Sequence, residues 1–472
     1  MPFLYHKVLA LTSMTIASIS FGFTFGHLSG LVRSLQKNED GITLTEAEIS
    51  VITASLTFTS IIGISILGLF GDRVGRRWSF ILFSIPTLIG WILAYVSRGF
   101  ITLLMSRALC GMGVGGLSIL NMIGAAEYTS PNTRAFYQSM ISLVAAALGI
   151  GMAHSLGVII HWKTLSIFGM VLAILHICLP YVCVESPQWL ASRGRFDECQ
   201  TAFRKLHGTK RSSEDELRLL IKMETKKQIV ASESKMNNGF KKLLDALKKR
   251  YFWGLMMTSC FAYLYFAFAG KVIFTNLATV MLEEMTGTSD ILLYTLLVDG
   301  FVLLGTCLSC VLIKKMSVRV LLFTSGVTAN VLLLILSICL YFKNDEEYFQ
   351  WIIVVLLAFY FIIANAGPYP VMDILLGELF PLEIKLYCFL LSTPTMGGTL
   401  CASIMLMPIL VTAVGYHGLF FINAMVVFVC LGYFWLRLPE TKGKTLQEIE
   451  MYFKTKDFDV ANIVKEQNKP LV

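Results

Sequence analysis

Long runs of apolar residues alternate with short polar connections along most of the chain. A helix of about 20 apolar residues matches the thickness of a bilayer, and runs of this kind recur twelve times. They cover residues 8–28, 50–70, 78–97, 101–126, 137–160, 164–184, 251–281, 291–313, 319–342, 349–375, 386–413 and 417–438. The pattern predicts an all-α polytopic membrane protein with twelve transmembrane helices, here called spans.

The tenth predicted span contains a sequence that disfavours a continuous helix. Prolines at positions 368 and 370 follow Gly367. Proline lacks a backbone donor and its ring clashes with the preceding helical turn. We therefore expect a break or kink at 367–370.

The longest polar segment separates the sixth span from the seventh. Windows such as SEDELRLLIKMETKKQIV have the periodicity of short amphipathic helices. The chain is therefore expected to divide into six spans over 1–184, a cytoplasmic helical linker over 185–250, six spans over 251–438 and a cytoplasmic tail over 439–472. The linker is basic, but it is attached to spans at both ends, which argues against nucleic-acid binding.

Composition supports a membrane protein. Hydrophobic residues make up 56% of the 472 positions and charged residues 15%, against about 25% charged in soluble domains. The 11 cysteines lie mostly within apolar runs, so we expect neither disulfides nor a metal site. The chain has no phosphate-binding G-x-x-x-x-G-K-[ST] loop and no plausible catalytic constellation. An enzyme, an ATP-driven pump and a cofactor are therefore not expected.

The distribution of charge predicts the orientation. Basic connections lie on the side of the two termini, and mostly acidic connections lie on the other side. The basic segments are 72–77, 132–134, 185–250 and 314–319, and the acidic ones are 37–48, 283–290 and 343–348. Because Lys and Arg accumulate on the cytoplasmic side, we expect a multi-pass protein of the cell membrane with both termini cytoplasmic.

The same acid–base spacing occurs in both halves. Glu127 precedes Arg134 by seven positions in EYTSPNTR, and Glu378 precedes Lys385 by seven in ELFPLEIK. Each pair follows a long apolar run. The repetition indicates a duplicated transporter with a charge pair in each half. The alternative is two ordinary surface pairs, each contributing about 0–1 kcal/mol.

Five motifs carry a resemblance to a known family. GLFGDRVGRR (68–77), RALCGMGVGG (107–116), ESPQWLASRG (185–194), GELFP (377–381) and PETKGKTLQEIE (439–450) resemble the sugar porter family of the major facilitator superfamily. Insect facilitated trehalose transporter-like proteins are especially similar. The resemblance implies the major facilitator fold, with two six-helix bundles working by alternating access. It also implies a monomer whose partners are a small-molecule solute and the lipid bilayer.

The motifs place charged residues at the cytoplasmic ends of the spans. We expect these residues to join in a gate between the bundles that holds the outward-open state. The candidate gating residues are Asp72, Arg73, Arg76, Glu127, Arg134, Glu185, Glu378, Lys385 and Glu440. By contrast, Gly111 and Gly115 form a G-x-x-x-G pattern that favours close helix packing.

The residues expected to bind a sugar depart from the family pattern. The stretch 263–276 lacks the glutamines typical of the seventh span, and the fifth-span glutamine position falls near Ser142, with Gln138 one turn away. A polyhydroxylated solute needs several converging polar groups. The candidate substrate-binding residues are Thr24, His27, Arg107, Gln138, Ser142, Lys271, Asn276, Tyr369 and Asp373.

Energy coupling depends on the first span. Proton-coupled relatives have an aspartate where this chain has Thr24, in GFTFG, and threonine does not titrate in the useful range. Arg107 would be the partner of that aspartate. We therefore favour uniport, with His27 as a substitute proton site in the alternative.

Two charges fall inside the predicted membrane region. Lys271 and Asp299 lie roughly 12–15 Å deep, at 1.5 Å per residue, and such charges are usually paired or face water. One hypothesis is a Lys271–Asp299 salt bridge. The other is that Lys271, with Arg107, favours an anionic or aromatic solute. His154 and His176 lie in apolar runs and are expected to be core residues.

The sequence thus predicts facilitative transport of a small organic solute, with a sugar such as trehalose or a hexose as the leading substrate. One alternative is a transporter of a non-sugar solute. A second alternative is a non-transporting sensor, although the short tail after Glu440 argues against it.

Overall fold

In a computed structural model, the described residues are 2–36, 41–233, 247–270, 291–342, 347–381 and 385–455. Within these ranges the chain is helical, without strands. Eleven helices are long and apolar enough to cross a membrane. The helix that begins at Lys385 is interrupted at Gly415, where φ is 70°, and its first part supplies a twelfth span. The predicted architecture is therefore confirmed.

The helices are α1 Pro2–Gln36, α2 Glu46–Val74, α3 Arg76–Val96, α4 Phe100–Tyr128, α5 Pro131–Ser139, α6 Ala145–Ile159, α7 Trp162–Val182, α8 Pro187–Ser192, α9 Phe196–His207, α10 Arg211–Glu233, α11 Arg250–Phe268, α12 Ile291–Lys315, α13 Val318–Tyr341, α14 Glu347–Ala366, α15 Pro368–Leu379, α16 Lys385–Arg437 and α17 Leu446–Thr455. A π-helical segment, Met140–Val144, joins α5 to α6 within the fifth span. The seventh span is described as far as Phe268, so the predicted residues 271–281 lie outside the described ranges.

The tenth span breaks where the prolines predict. α14 ends at Ala366, and α15 begins at Pro368. At the junction, a Cβ on Gly367 would lie 1.7 Å from Ser325 Oγ, so only glycine allows the tenth span to approach the ninth this closely. The π-helical segment of the fifth span was not predicted.

Spans pack into two bundles of six. In the first bundle, α4 lies against α2 and α3, and α1 lies against α6 and α7; in the second, α16 lies against α11 and α13. The bundles meet where α2 contacts α16, where the fifth span contacts α12, and where α15 contacts α4 and α5. The short helices α8, α9 and α10 lie between the sixth and seventh spans. The side of the molecule that carries them is called the linker face below.

Glycines allow spans 2 and 4 to approach at backbone distance. A Cβ on Gly111 would lie 2.2 Å from Leu56 O, and one on Gly115 would lie 2.1 Å from Ser60 O. Both distances are below what real Cβ atoms tolerate. These contacts support the packing role predicted for Gly111 and Gly115.

We expect Gly115→Val to destabilise the protein because the new side chain collides with the backbone of span 2. Overpacking of this kind costs about 1–3 kcal/mol. Thermal unfolding in detergent should show a lower midpoint for Gly115→Val. Gly432→Val is the control, since a Cβ there meets nothing within 4 Å. Equal midpoints for the two variants would contradict this account of the packing.

Candidate functional site

A carboxylate caps the first residues of α3 on the linker face. Glu185 Oε1 accepts hydrogen bonds from the backbone N–H groups of Arg76 at 2.9 Å, Arg77 at 3.2 Å and Ser186 at 2.9 Å. The N-terminus of a helix leaves unpaired N–H groups and a partial positive charge, which an anion satisfies. Burial raises the pKa of Glu185, and the three backbone donors oppose that rise.

The second bundle repeats this arrangement. Glu440 accepts hydrogen bonds from the N–H groups of Val318 at 3.1 Å, Arg319 at 3.0 Å and Lys442 at 3.0 Å. The guanidinium groups correspond as well, because Arg77 donates to the Tyr181 carbonyl and Arg319 to the Trp435 carbonyl. The two predicted gating acids, Glu185 and Glu440, therefore hold equivalent helix starts in the two halves.

Glu127 pairs with a residue of its own bundle. Arg76 donates from Nε to Glu127 Oε2 at 3.1 Å and from Nη2 to Oε1 at 2.9 Å. Asp72 Oδ1 lies 2.9 Å from Arg76 Nη1, and Ser186 Oγ donates to Glu127 Oε2 at 2.6 Å. The prediction that Glu127 pairs with Arg134 is therefore wrong. Arg76 occupies both carboxylate oxygens in the planar, two-pronged geometry that suits a guanidinium.

Arg134 instead connects the two bundles. Its Nη1 lies 3.3 Å from Glu378 Oε1 and donates to the Lys444 carbonyl at 3.2 Å, while its Nε donates to the Ala126 carbonyl at 3.1 Å. The side chains of Arg134 and Glu378 are 1% and 4% exposed. One buried guanidinium thus joins the fourth span, the tenth span and the segment before α17.

Lys385 is buried beside this network without a hydrogen-bond partner for Nζ among the described residues. It does not form the predicted pair with Glu378, although Glu127 and Glu378 both attract its charge. Val318 stands at the position equivalent to Arg76, so the second bundle lacks a guanidinium of its own for Glu378. Arg73, also predicted as a gating residue, is exposed and belongs to the surface.

The fifth and tenth spans meet near the linker face. Gln138 Nε2 donates to the Asp373 carbonyl at 2.6 Å. A Cβ on Gly377 would lie 2.3 Å from Gln138 Nε2, so a side chain at 377 would displace the Gln138 amide from this position. The structure therefore brings together two predicted substrate-binding residues, Gln138 and Asp373. Nearby, Gln447 in α17 donates to Gln188 in α8 at 2.9 Å, which joins the tail to the linker.

The fifth and eighth spans meet at two levels. Ser139 Oγ and Ser309 Oγ lie 2.9 Å apart just before the π-helical segment, and His154 Nδ1 lies 2.5 Å from Asp299 Oδ2 beyond it. His154 was expected to be a core residue, and that expectation is wrong. The sequence identified Asp299 as an acid inside the predicted membrane region. No neighbouring residue identified His154, 145 positions away, as its partner. Lys271, its predicted partner, lies outside the described residues.

Other predicted substrate-binding residues divide between the bundle interface and the interior. Ser142 lies in the π-helical segment, and its Oγ is buried without a described partner. The hydroxyl of Tyr369 donates to the carbonyl of Ala269, the residue that follows α11, at 2.6 Å. Asn276 lies outside the described residues. His176 is 1% exposed, in keeping with the prediction of a core side chain.

Thr24, His27 and Arg107 are enclosed within the first bundle. All three are fully buried. Thr24 Oγ1 donates to the Ser20 carbonyl at 2.7 Å, His27 Nε2 lies 2.9 Å from the Trp162 carbonyl oxygen, and the Arg107 guanidinium lies 5.3 Å from the centre of the Trp91 ring. These residues were predicted to bind substrate, but in this conformation they do not line a solvent-accessible path.

Comparisons with known proteins agree with this architecture. A family model described as Sugar (and other) transporter matches residues 10–453. Sugar transporter ERD6-like 6 of Arabidopsis thaliana is 27% identical, over 93% of this chain and 89% of that protein. Facilitated trehalose transporter Tret1 of Bombyx mori is 26% identical, over 98% of this chain and 90% of that protein.

Solved structures give the same fold. The proton:xylose symporter XylE bound to 6-bromo-6-deoxy-D-glucose superposes with a TM-score of 0.81 at 19% identity, over 95% of this chain and 99% of that one. The inward-open xylose transporter XylE from E. coli gives 0.63 at 18% identity, over 93% and 98%. The spans, the paired helix caps and the family match lead to one conclusion: this chain is a multi-pass membrane transporter, not an enzyme, and belongs to the sugar transporter family of the major facilitator superfamily.

Proposed function

We propose that the protein is a facilitative uniporter that carries a small organic solute, with a sugar such as trehalose or a hexose as the leading substrate. It acts as a monomer in the cell membrane with both termini and the linker face in the cytoplasm. The observation that carries the proposal is the buried Arg134–Glu378 pair, which joins the two bundles at the linker face. A transporter that works by alternating access needs such a contact, one that exists in one conformation and is broken in the other.

The described contacts suit a state closed at the linker face. Arg134–Glu378, Gln138–Asp373 and Gln447–Gln188 all cross between halves of the chain. In the proposed cycle, solute binding between the bundles is followed by separation of these contacts. Lys385 is in the same bundle as Glu378, so it is placed to compensate that carboxylate when Arg134 withdraws.

The proposal of uniport rests on the first span. The Thr24 hydroxyl donates to the Ser20 carbonyl and does not titrate in the useful range. The second candidate function is proton-coupled transport of the same solute. One observation favours it: the imidazole of His154 and the carboxylate of Asp299 lie 2.5 Å apart between the bundles, at a contact that must break during transport.

The substrate proposal follows the relatives, since a facilitated trehalose transporter matches over nearly the whole chain. Gln138, Ser142 and Asp373 lie at the bundle interface with polar atoms that can meet hydroxyl groups. Arg107 is enclosed in the first bundle, which removes one of the two cations on which the anionic-solute alternative depended.

Cross-linking the fifth span to the eighth should stop transport reversibly. In the variant Ser139→Cys/Ser309→Cys, the sulfur atoms replace hydroxyls that lie 2.9 Å apart. Oxidation should abolish solute uptake into proteoliposomes, and a thiol reductant should restore it. Cys310 is changed to Ser throughout, because its sulfur lies 3.9 Å from Ser139 Oγ. Full uptake by the oxidised, cross-linked protein would refute closure at this level, and Ser139→Cys alone in the same background is the control.

Removal of either partner of the bundle-crossing ion pair should impair transport more than removal of both. Arg134→Gln or Glu378→Gln leaves a buried charge without its partner, which costs about 3–5 kcal/mol. We expect each single variant to lose at least about tenfold in uptake rate and the double variant to recover part of that loss. The exposed pair Arg204–Glu214, at 2.7 Å, is the matched control, and Arg204→Gln and Glu214→Gln should behave as wild type. Strictly additive losses at Arg134 and Glu378 would argue against a functional pair.

Uptake of a labelled solute panel, with and without a pH gradient, tests the proposed activity itself. We expect equilibration of trehalose or a hexose without accumulation, at a rate that does not depend on the gradient. Accumulation driven by an inward proton gradient would replace uniport by symport, and Asp299→Asn should then abolish the accumulation. Uptake of another solute but of no sugar would overturn the substrate proposal.

A further inference from the structure

The first bundle encloses a cation for which the described residues provide no counter-charge. Arg107 lies in α4 with no exposed surface. Its three nitrogen atoms, Nε, Nη1 and Nη2, are buried without hydrogen-bond partners among the described residues. A guanidinium remains protonated in proteins, so this site cannot become neutral by losing a proton, as a buried lysine can.

A second donor without a described partner lies beside Arg107. Trp91 is fully buried, and its indole Nε1 also lacks a partner among the described residues. The guanidinium carbon lies 5.3 Å from the centre of the Trp91 ring. The indole N–H, like the guanidinium, can only donate. The N–H groups of Arg107 and Trp91 thus lie side by side without a described hydrogen-bond acceptor.

His27 forms a further side of this enclosure. Its ring lies 5.0 Å from the Trp91 ring in an edge-on arrangement, and its Nε2 lies 2.9 Å from the Trp162 carbonyl oxygen. Because a carbonyl oxygen only accepts, Nε2 carries the proton. Nδ1 has no described hydrogen-bond partner, and in the neutral ring with the proton on Nε2 it can only accept a hydrogen bond.

The interaction with Trp91 does not by itself offset the desolvation of Arg107. A cation over an aromatic face contributes about 2 kcal/mol when both are desolvated, whereas removing an ion from water costs several kcal/mol even after relaxation. Charges inside membrane spans are almost always paired or in contact with water. A water molecule would accept hydrogen bonds from the N–H groups but would leave the positive charge uncompensated.

We propose that Arg107 and Trp91 form a binding site for one small monovalent anion, of the chloride class, inside the first bundle. The anion accepts hydrogen bonds from the guanidinium and the indole N–H and neutralises the buried charge. Spans 3 and 4 pack closely beside it, since a Cβ on Gly90 would lie 2.5 Å from Cys110 Sγ. This closeness favours a monatomic anion over a larger organic one. The site is separate from the proposed substrate path, and its occupancy stabilises the bundle.

Thermal unfolding of the purified full chain tests this inference without a transport assay. Sodium chloride replaces sodium gluconate at constant ionic strength. A ligand that binds only the folded protein stabilises it increasingly as the ligand concentration rises above its Kd. We therefore expect the unfolding midpoint to rise with chloride concentration and to level off, as one site fills. Bromide should act in the same way.

Three variants separate this site from a general salt effect. Arg107→Gln should abolish the dependence on chloride, and Trp91→Phe, which keeps the aromatic face but loses the N–H, should shift the half-saturating chloride concentration upward by about tenfold, the factor that corresponds to 1.4 kcal/mol. Arg98→Gln is the control, because Arg98 is an exposed arginine near the same end of the first bundle. It should retain the wild-type response.

Two results would overturn the inference. One is a wild-type midpoint that is the same in chloride and gluconate, which would indicate water alone at Arg107. The other is an equal chloride response in wild type, Trp91→Phe and Arg98→Gln. If Arg107→Gln does not fold, Trp91→Phe carries the test. Loss of solute uptake, by contrast, bears on the proposed transport and leaves this test unchanged.

Discussion

The buried ion pair between Arg134 and Glu378 is the interaction on which the observed arrangement of the two bundles most depends. The two side chains come from positions 244 residues apart and have almost no exposed surface. In a high-dielectric surface setting such a pair contributes little, but here the loss of one partner leaves a desolvated charge. The pair exists only where the bundles touch at the linker face, so it is a contact specific to this arrangement.

The same carboxylate cap occurs in both halves and fixes the starts of α3 and α13. Glu185 and Glu440 each satisfy the first N–H groups of a helix, α3 in one half and α13 in the other. These contacts lie within their own halves and hold the helix starts in place. The bundles can therefore move as units while each keeps its own caps. Rigid halves and a breakable contact between them are the elements that alternating access requires.

Much of this architecture follows from sequence because it depends on local chemistry. Span length, the proline break after Gly367 and the close-packing glycines Gly111 and Gly115 are each dictated by a few neighbouring residues. The pairing of charges does not follow in this way. Seven-residue spacing suggested Glu127–Arg134, yet Arg76, which is 51 positions from Glu127, takes both carboxylate oxygens. Tertiary geometry decides which of several nearby cations pairs with a given acid.

Tertiary geometry also explains why only part of the candidate site was predicted. The acids proposed for the gate lie at helix ends, where charge in an apolar sequence is conspicuous, and the structure places them in ion pairs or helix caps. Ser139, Ser309 and His154 were missed because serine and histidine within apolar runs resemble ordinary core residues. The π-helical segment 140–144 shifts the register of the fifth span between two of its contacts. No residue in MISLV distinguishes that segment from regular helix.

The two halves are unequal because Val318 stands where the first bundle has Arg76. This difference bears on how the carrier binds solute from each side of the membrane. Glu127 takes its guanidinium from Arg76 of its own bundle, whereas Glu378 takes its guanidinium from Arg134 across the bundle interface. Any free energy that the Arg134–Glu378 pair contributes therefore acts only on the conformation in which the bundles touch at the linker face. Apparent affinity falls in proportion to the fraction of molecules in the binding-competent state. A passive carrier whose resting population is weighted toward molecules open opposite the linker face has a lower half-saturation concentration for solute arriving from that side than for solute leaving from the linker side. At position 318 the two halves differ in whether the helix start supplies a guanidinium to the nearby carboxylate.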